Sequence, residues 1–391
     1  MSAVHPGVAL IAHSGGPTPV INASLLGVVD ESRKHSEITA LYGARFGVEG
    51  ILSEDFVDLY QQPADLVAAV GRTPSSALGS SRRENTVEDL GRMIEAFRKH
   101  DVRFFLYNGG NGSMGTAHQI ATAADDAKYE LQVVGIPKTI DNDLLRTDHS
   151  PGYGSVARYF ATAIRDIDAD NRALPKQVEI VEVLGRNTGW LVAATALARA
   201  TPNDAPHLMY FPERRLPLHK FLADVEGVFS RLNRCVVAVC EGQLDEAGEP
   251  FGADVRAGSR GSLAMNLGHR LATLVSQHLK LRARSEKPGL IGRASSLTIS
   301  PVDWDEAYLC GRHAVVAAVR GAGKQMVSLL RGPEAEYRIR TGLVALEDVA
   351  YAEREVPAEW RSENGTDILP AFFDYALPFV GRVAAFPRLN D

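Results

Sequence analysis

Residues 137–143 read Pro-Lys-Thr-Ile-Asp-Asn-Asp, a stretch that concentrates two carboxylates, an ammonium and a hydroxyl. An aspartate there can accept a proton from an attacking hydroxyl, while the lysine neutralises phosphoryl oxygens, in a transfer whose catalysis is mostly positioning and charge stabilisation. The rival interpretation is an Asx-type turn with exposed acids. Two glycine clusters bear on the choice. Ser14-Gly15-Gly16-Pro17 and Asn108-Gly109-Gly110-Asn111-Gly112-Ser113 each offer backbone N–H groups that can approach an anion closely, and a helix N-terminus behind such a turn favours phosphate. One glycine turn after a strand is more often only a turn, whereas two in one chain point to an extended polyphosphate.

Such loops need strands to hold them. Residues 7–12, 102–107 and 131–136 are short continuous apolar runs, as expected of strands buried on both faces of a parallel sheet, and each ends at one of the three loops. Helices are expected at 20–34, 114–124 and about 154–169. Further strands are expected at 178–183 and 234–239. Gly185-Arg186 follows the first, before a helix at 190–200, and Glu241-Gly242 follows the second, before a helix at 262–280. Alternation of this kind implies an α/β fold with right-handed βαβ crossovers and sites along the carboxyl edge of the strands. Residues 333–391 are more irregular.

The chain's 391 residues allow roughly two or three domains. Hydrophobic residues at 45% and charged residues at 23% are ordinary for a globular chain, and the net charge of −6 provides no global positive field for nucleic acid or an acidic membrane surface. Cys235, Cys240 and Cys310 are too few and too irregular for a disulfide framework or a CxxC metal site, and are expected to be reduced core thiols. Residues 1–6 lack a basic n-region, and the apolar run at 8–12 is far shorter than a signal core or a membrane span, so a cytoplasmic location is expected. His13, His118, His149 and His313 show no metal-ligand spacing. They are assigned structural or surface places, and Trp190, Trp304 and the aromatic cluster at 372–375 are assigned to packing.

Taken in order, with Gly79-Ser80-Ser81-Arg82 between the glycine loops and Glu182-Val-Leu-Gly-Arg-Asn-Thr-Gly-Trp190 after the acidic loop, these motifs resemble the ATP- or pyrophosphate-dependent phosphofructokinase family. The likeness runs from Ala9 to about Pro378 and takes in Val239-Cys-Glu-Gly242, Arg293-Ala-Ser295 and the stretch 306–319. It implies two similar Rossmann-like lobes with parallel-rich sheets flanked by helices. A donor lobe would span 1–145, an acceptor lobe interleaved with it 146–320, and a C-terminal extension packing back on the body 321–391. The resemblance casts Asp141 as the base that takes the proton from the sugar hydroxyl and Asp143 as the acid assisting it. It makes Arg82 the bridge between donor phosphates and transferred group, Lys138 the phosphoryl-binding lysine and Thr139 a transition-state hydroxyl. Gly15, Gly16, Gly109, Gly110, Asn111, Gly112 and Ser113 complete the donor site. The sugar would lie between the lobes on Thr139, Asp141, Leu184, Gly185, Arg186 and Glu241. Arg284 and Arg293 would grip its distant phosphate through paired charge-assisted bonds. Mg²⁺ is the implied cofactor, and a homodimer or homotetramer the implied assembly.

Four positions depart from the family's pattern. Asn111 stands where many members carry an aspartate for Mg²⁺, and an amide offers oxygen without charge. Lys138 is the residue of the pyrophosphate-using branch, yet Gly112 stands where that branch usually has an aspartate. The two markers disagree, and pyrophosphate is preferred over ATP. Gln177, beside Lys176, aligns with a basic residue that a neighbouring subunit gives to the sugar 6-phosphate, and Leu290 with a His or Tyr that contacts it. Each lost bond to a charged phosphate is worth roughly 1.5–3 kcal/mol. The reaction that the resemblance implies is phosphorylation of the fructose 6-phosphate 1-hydroxyl to give fructose 1,6-bisphosphate, and the two altered grips count against it. An unphosphorylated polyol such as an inositol is the variant acceptor, and a non-catalytic sugar-phosphate- or nucleotide-binding regulator the alternative of another class.

Overall fold

In the computed structural model, residues 4–251, 255–256, 263–334 and 336–389 are described. The chain forms two compact units, one of Met1–Tyr153 with Ala294–Arg354, the other of Gly154–Arg293 with Glu355–Asp391. Each unit is built from two separate stretches, where the sequence suggests a lobe at 1–145, a second at 146–320 interleaved with it and an extension at 321–391 that packs back on the body. Strand pairing is the reason.

The first unit holds seven strands: β1 Gly7–His13, β2 Ile38–Ala44, β3 Phe56–Asp58, β4 Val102–Gly109, β5 Gln132–Pro137, β12 Gln325–Arg331 and β13 Ile339–Ala345. Their order is β13-β12-β5-β4-β1-β2-β3. The central neighbours pair in parallel, and only the edge strands β3 and β13 run antiparallel. β12 pairs with β5, which draws residues 325–345 back to the N-terminal part of the chain. The apolar runs are continuous because both faces are covered. Leu10, Ala12, Phe105 and Tyr107 pack in one cluster with the helices Val87–Lys99 and Asn111–Asp126. Ala9, Ile11, Phe104 and Leu106 pack in another with Ile21–Ser32 and Pro301–Val319. Local signals set the helix starts: Thr86 and Asp89 form a capping box, and Ser300 caps a helix that opens with Pro301.

The second unit has four strands, β6 Gln177–Val183, β7 Leu208–Tyr210, β8 Cys235–Cys240 and β11 Arg282–Glu286, in the order β11-β6-β8-β7 with every pairing parallel. Separately, β9 Val255–Arg256 pairs antiparallel with β10 Leu263–Ala264. The start expected for a helix at Ser262 lies outside the described residues, and the helix found there runs Leu267–Leu279. The stretch expected as one helix at 190–200 is Trp190–Thr195 followed by a single 3₁₀ turn at Ala196–Ala198. Trp190, Phe372 and Tyr375 are buried here, while Trp304 of the first unit is half-buried, its Nε1–H donating to Gly71 O at 2.8 Å. Cys235, Cys240 and Cys310 are buried thiols outside any disulfide. Among the described residues no helix is long and apolar enough to cross a membrane.

Candidate active site

β5, β4 and β1 are neighbours, so their carboxyl ends bring three loops side by side. Backbone bonds stitch these together. Ser14 N–H donates to Asn108 O at 2.9 Å, Lys138 N–H to Gly109 O at 3.0 Å and Gly15 N–H to Ser81 O at 2.9 Å, while Ser80 Oγ–H donates to Gly15 O at 2.7 Å. The last two draw in the loop that carries Arg82. Thus Gly15, Gly16, Arg82, Gly109, Gly110, Asn111, Gly112, Ser113, Lys138, Thr139, Asp141 and Asp143 all meet at one strand edge. Gly15 has φ +77°, and a side chain at Gly109 would strike Ser113 Oγ, so both positions need glycine. Gly110 is the N-cap of the helix Asn111–Asp126, whose first N–H groups open on this edge. Arg82 is exposed, while its neighbour Arg83 is committed elsewhere through a 2.9 Å ion pair with Asp89.

Lys138 is only 3% exposed, and its Nζ donates to Ser14 O and Gly16 O, each at 2.7 Å. The ammonium sits directly beneath the first glycine loop and braces it. Asp141 is half-buried, with its N–H donating to Thr139 Oγ1 at 3.1 Å, which fixes the turn that presents its carboxylate. Asn142 follows at φ 55°, a left-handed conformation Asn tolerates, with its Oδ1 accepting from Ser150 N–H at 3.0 Å. Asp143 is buried, and its Oδ2 accepts from Asn111 Nδ2 at 2.8 Å. Asn111 Oδ1 is itself buried with no hydrogen-bond partner among the described residues. An orphaned amide oxygen beside a carboxylate suits a hard cation. No cluster of three or more His, Cys, Asp or Glu that could hold a metal exists among the described residues, so a cation here would draw its other ligands from phosphate and water.

Sequence reasoning missed part of this site's support. His13 ends β1 in register with Asn108 of β4, both fully buried. Ser76 Oγ–H donates to Gly79 O at 2.5 Å, so the imidazole donates from Nδ1 to Ser76 Oγ at 2.7 Å, which ties β1 to the loop carrying Arg82. Burial, with Lys138 nearby, pushes His13 down to about 3, so the ring is neutral. Further along, Asp148 and Glu306 flank the fully buried His149 at 2.9 and 2.6 Å. Burial alone would depress this imidazole, yet the two carboxylates hold it up at about 9.

In the second unit, the ends of β6 and β8 are adjacent and bring Leu184, Gly185, Arg186 and Glu241 together. Glu241 N–H donates to Val183 O at 2.8 Å, and Cys240 Sγ–H to Arg186 O at 3.4 Å. Arg186 adopts φ 47°, a strained backbone of the kind held at functional sites. Burial raises the Glu241 carboxyl above its ordinary range, with Arg186 opposing and Glu182 reinforcing the rise. Lys287 Nζ stands 2.5 Å from Glu182 Oε1.

The remaining acceptor candidates lie apart. Arg284 is exposed on the edge strand β11, opposite Glu179, four residues before the end of β6. That is about 13 Å along the strand at roughly 3.3 Å per residue. Gln177 lies further still, buried, with neither amide atom bonded among the described residues. Arg293 is half-buried at the end of the short helix Leu290–Arg293, and Leu290 is 66% exposed.

Known proteins resemble this chain over nearly its whole length. The sequence model of the family described as Phosphofructokinase matches residues 8–318. The pyrophosphate–fructose 6-phosphate 1-phosphotransferase of Rhodospirillum rubrum is 38% identical, covering 96% of this chain and 95% of that one. The protein of the same name from Xanthomonas campestris pv. campestris is 36% identical, covering 98% and 93%. The crystal structure of pyrophosphate-dependent phosphofructokinase from Nitrosospira multiformis superposes with a TM-score of 0.89 at 33% identity, covering 98% of this chain and 94% of that one. With loops, sheet order and full-length likeness in agreement, this chain belongs to the phosphofructokinase family.

Proposed function

We propose that the protein transfers a phosphoryl group from pyrophosphate to the 1-hydroxyl of fructose 6-phosphate, giving fructose 1,6-bisphosphate and orthophosphate. The observation that carries this is the strand edge of the first unit, where Lys138 braces a glycine loop and Asp141 stands half-buried beside it. Donor phosphates lie against the N–H groups of Gly15, Gly16 and the helix Asn111–Asp126, with Arg82 and Lys138 supplying positive charge. Asp141 takes the proton as the sugar oxygen bonds to phosphorus and the bond to the leaving phosphate breaks, and Asp143 supports it from its fixed place against Asn111. Asn111 Oδ1 is the protein atom that would hold a Mg²⁺ ion, which when bound would supply neutralisation of phosphate charge.

Relatives that use pyrophosphate and fructose 6-phosphate support this over the polyol and regulator alternatives. They also favour Lys138 over Gly112 as the marker of the donor. On the acceptor side, Gly185, Arg186 and Glu241 hold the sugar. Arg284, about 13 Å along β6 from them, serves the sugar phosphate of a second copy in a homo-oligomer. The enzyme works in the cytoplasm. Turnover of wild type and Asp141→Asn, with pyrophosphate or ATP as donor and fructose 6-phosphate or inositols as acceptor, tests the proposal. Transfer confined to ATP or to a polyol would contradict it.

A further inference from the structure

We propose that Arg354 is a positioning residue for the catalytic loop, which it holds in the conformation that presents Asp141. The proposal rests on the assignment of Asp141 as the base. Arg354 is half-buried, and it donates to four loop carbonyls. Its backbone N–H donates to Asp143 O at 2.8 Å. Its Nε and Nη2 donate to Asn142 O at 3.3 and 3.2 Å, and its Nη1 donates to Thr147 O at 2.9 Å and to Asp148 O at 2.6 Å. These oxygens converge from both ends of the loop, so one guanidinium closes it.

The loop needs such a clamp. Asn142 and Arg146 both have positive φ, 55° and 60°, a conformation that costs free energy for residues with side chains and persists only where surroundings over-determine it. Asn142 and Thr147 are buried, so their carbonyls must find partners within the protein or in trapped water. The far side of the loop has other anchors, since Asp148 N–H donates to Leu329 O and its carboxylate pairs with Arg331 at 2.9 Å. On the near side Asn142 Oδ1 is held by Ser150 and the Asp143 carboxylate by Asn111, and Arg354 adds the bonds to the backbone carbonyls of Asn142 and Asp143 that join this side to the far one. A planar fork with five donors fits divergent carbonyls in a way that lysine's single ammonium does not.

Arg354→Ala and Arg354→Lys in the full chain, assayed with pyrophosphate, fructose 6-phosphate and Mg²⁺, test this. A misplacement near 1 Å costs about 10²-fold in rate, so we expect kcat of Arg354→Ala to fall by about that factor and that of Arg354→Lys by about tenfold. KM for both substrates should stay within about threefold, and the pH profile of kcat should keep its shape because the base is retained. Added guanidinium ion should restore Arg354→Ala at least about fivefold while leaving wild type unchanged. A folded variant with wild-type kcat, a loss confined to KM, or a loss that guanidinium does not touch would each overturn the proposal. Should Arg354→Ala fail to fold, kcat and KM of Arg354→Lys decide. Asp141→Asn run alongside separates the two assignments: full turnover there refutes the base, whereas its loss with unaffected Arg354 variants refutes the clamp alone.

Discussion

Lys138→Met exchanges an ammonium for a thioether of similar length and probes the part of the site that the structure defines most sharply. Nζ lies 2.7 Å from both Ser14 O and Gly16 O on a side chain that is 3% exposed. A hydrogen bond to a charged group contributes roughly 1.5–3 kcal/mol, so two set a ceiling near 6 kcal/mol. The loop keeps three other anchors, from Ser14 N–H, Gly15 N–H and Ser80 Oγ, and Ser14 to Gly16 are half-exposed, so water can reach the released carbonyls. We expect a loss of about 2–3 kcal/mol. In the proposed site the same ammonium faces the donor, and losing one charged contact there lowers kcat/KM for pyrophosphate by about 10- to 150-fold. KM for fructose 6-phosphate should not move. Hydrogen exchange over residues 13–17 and steady-state kinetics read the two effects separately. Native protection of the loop would refute the bracing, and a native kcat/KM for pyrophosphate would refute the donor contact.

Three further outcomes are expected. His149 is held at about 9 against an ordinary 6.5, so its stabilisation, about 3 kcal/mol, is full below pH 6.5 and is lost as pH rises through 9. His149→Gln should remove that dependence, and unfolding midpoints of wild type and variant that run parallel from pH 6 to 9.5 would count against it. Asn111→Asp places two carboxylates at contact distance, since the amide now lies 2.8 Å from Asp143. The metal-free thermal midpoint should drop while the half-saturating Mg²⁺ concentration falls about tenfold, and an unaltered Mg²⁺ titration would exclude Asn111 from the cation. Finally, Arg186→Ala and Arg284→Ala should each be nearly inactive, yet co-assembled one to one they should regain about a quarter of wild-type turnover, because in the homo-oligomer proposed above, taken as a dimer, half the assemblies would carry one intact site of two. No recovery would mean that Arg284 serves its own chain.

The central strands were legible because they are buried on both faces. β1, β4, β5, β6 and β8 stand within two residues of the apolar runs that announced them. β12 and β13 were not. β13 is a half-exposed edge strand with an internal glycine and no clean alternation, and its place depends on β12 pairing with a strand some 190 residues earlier, which no local pattern reveals. The first unit's site was readable wherever residue type carries the chemistry, as at Lys138, Asp141 and the glycines. Arg354 was not, because it lies between Glu353 and Glu355 in a polar stretch that resembles a solvated face, and its targets are carbonyl oxygens that every residue possesses. His13 had no metal-like spacing, and its link to the Arg82 loop runs through Ser76, more than sixty residues away.

One experiment decides between phosphoryl transfer from pyrophosphate and every alternative raised above. Purified wild type and Asp141→Asn are incubated with Mg²⁺, pyrophosphate and fructose 6-phosphate, and fructose 1,6-bisphosphate and orthophosphate are followed together. Stoichiometric formation of both by wild type, with kcat at least about 10²-fold lower in Asp141→Asn and binding of fructose 6-phosphate retained, is the expected result. No fructose 1,6-bisphosphate from wild type, or equal turnover in the variant, would contradict it.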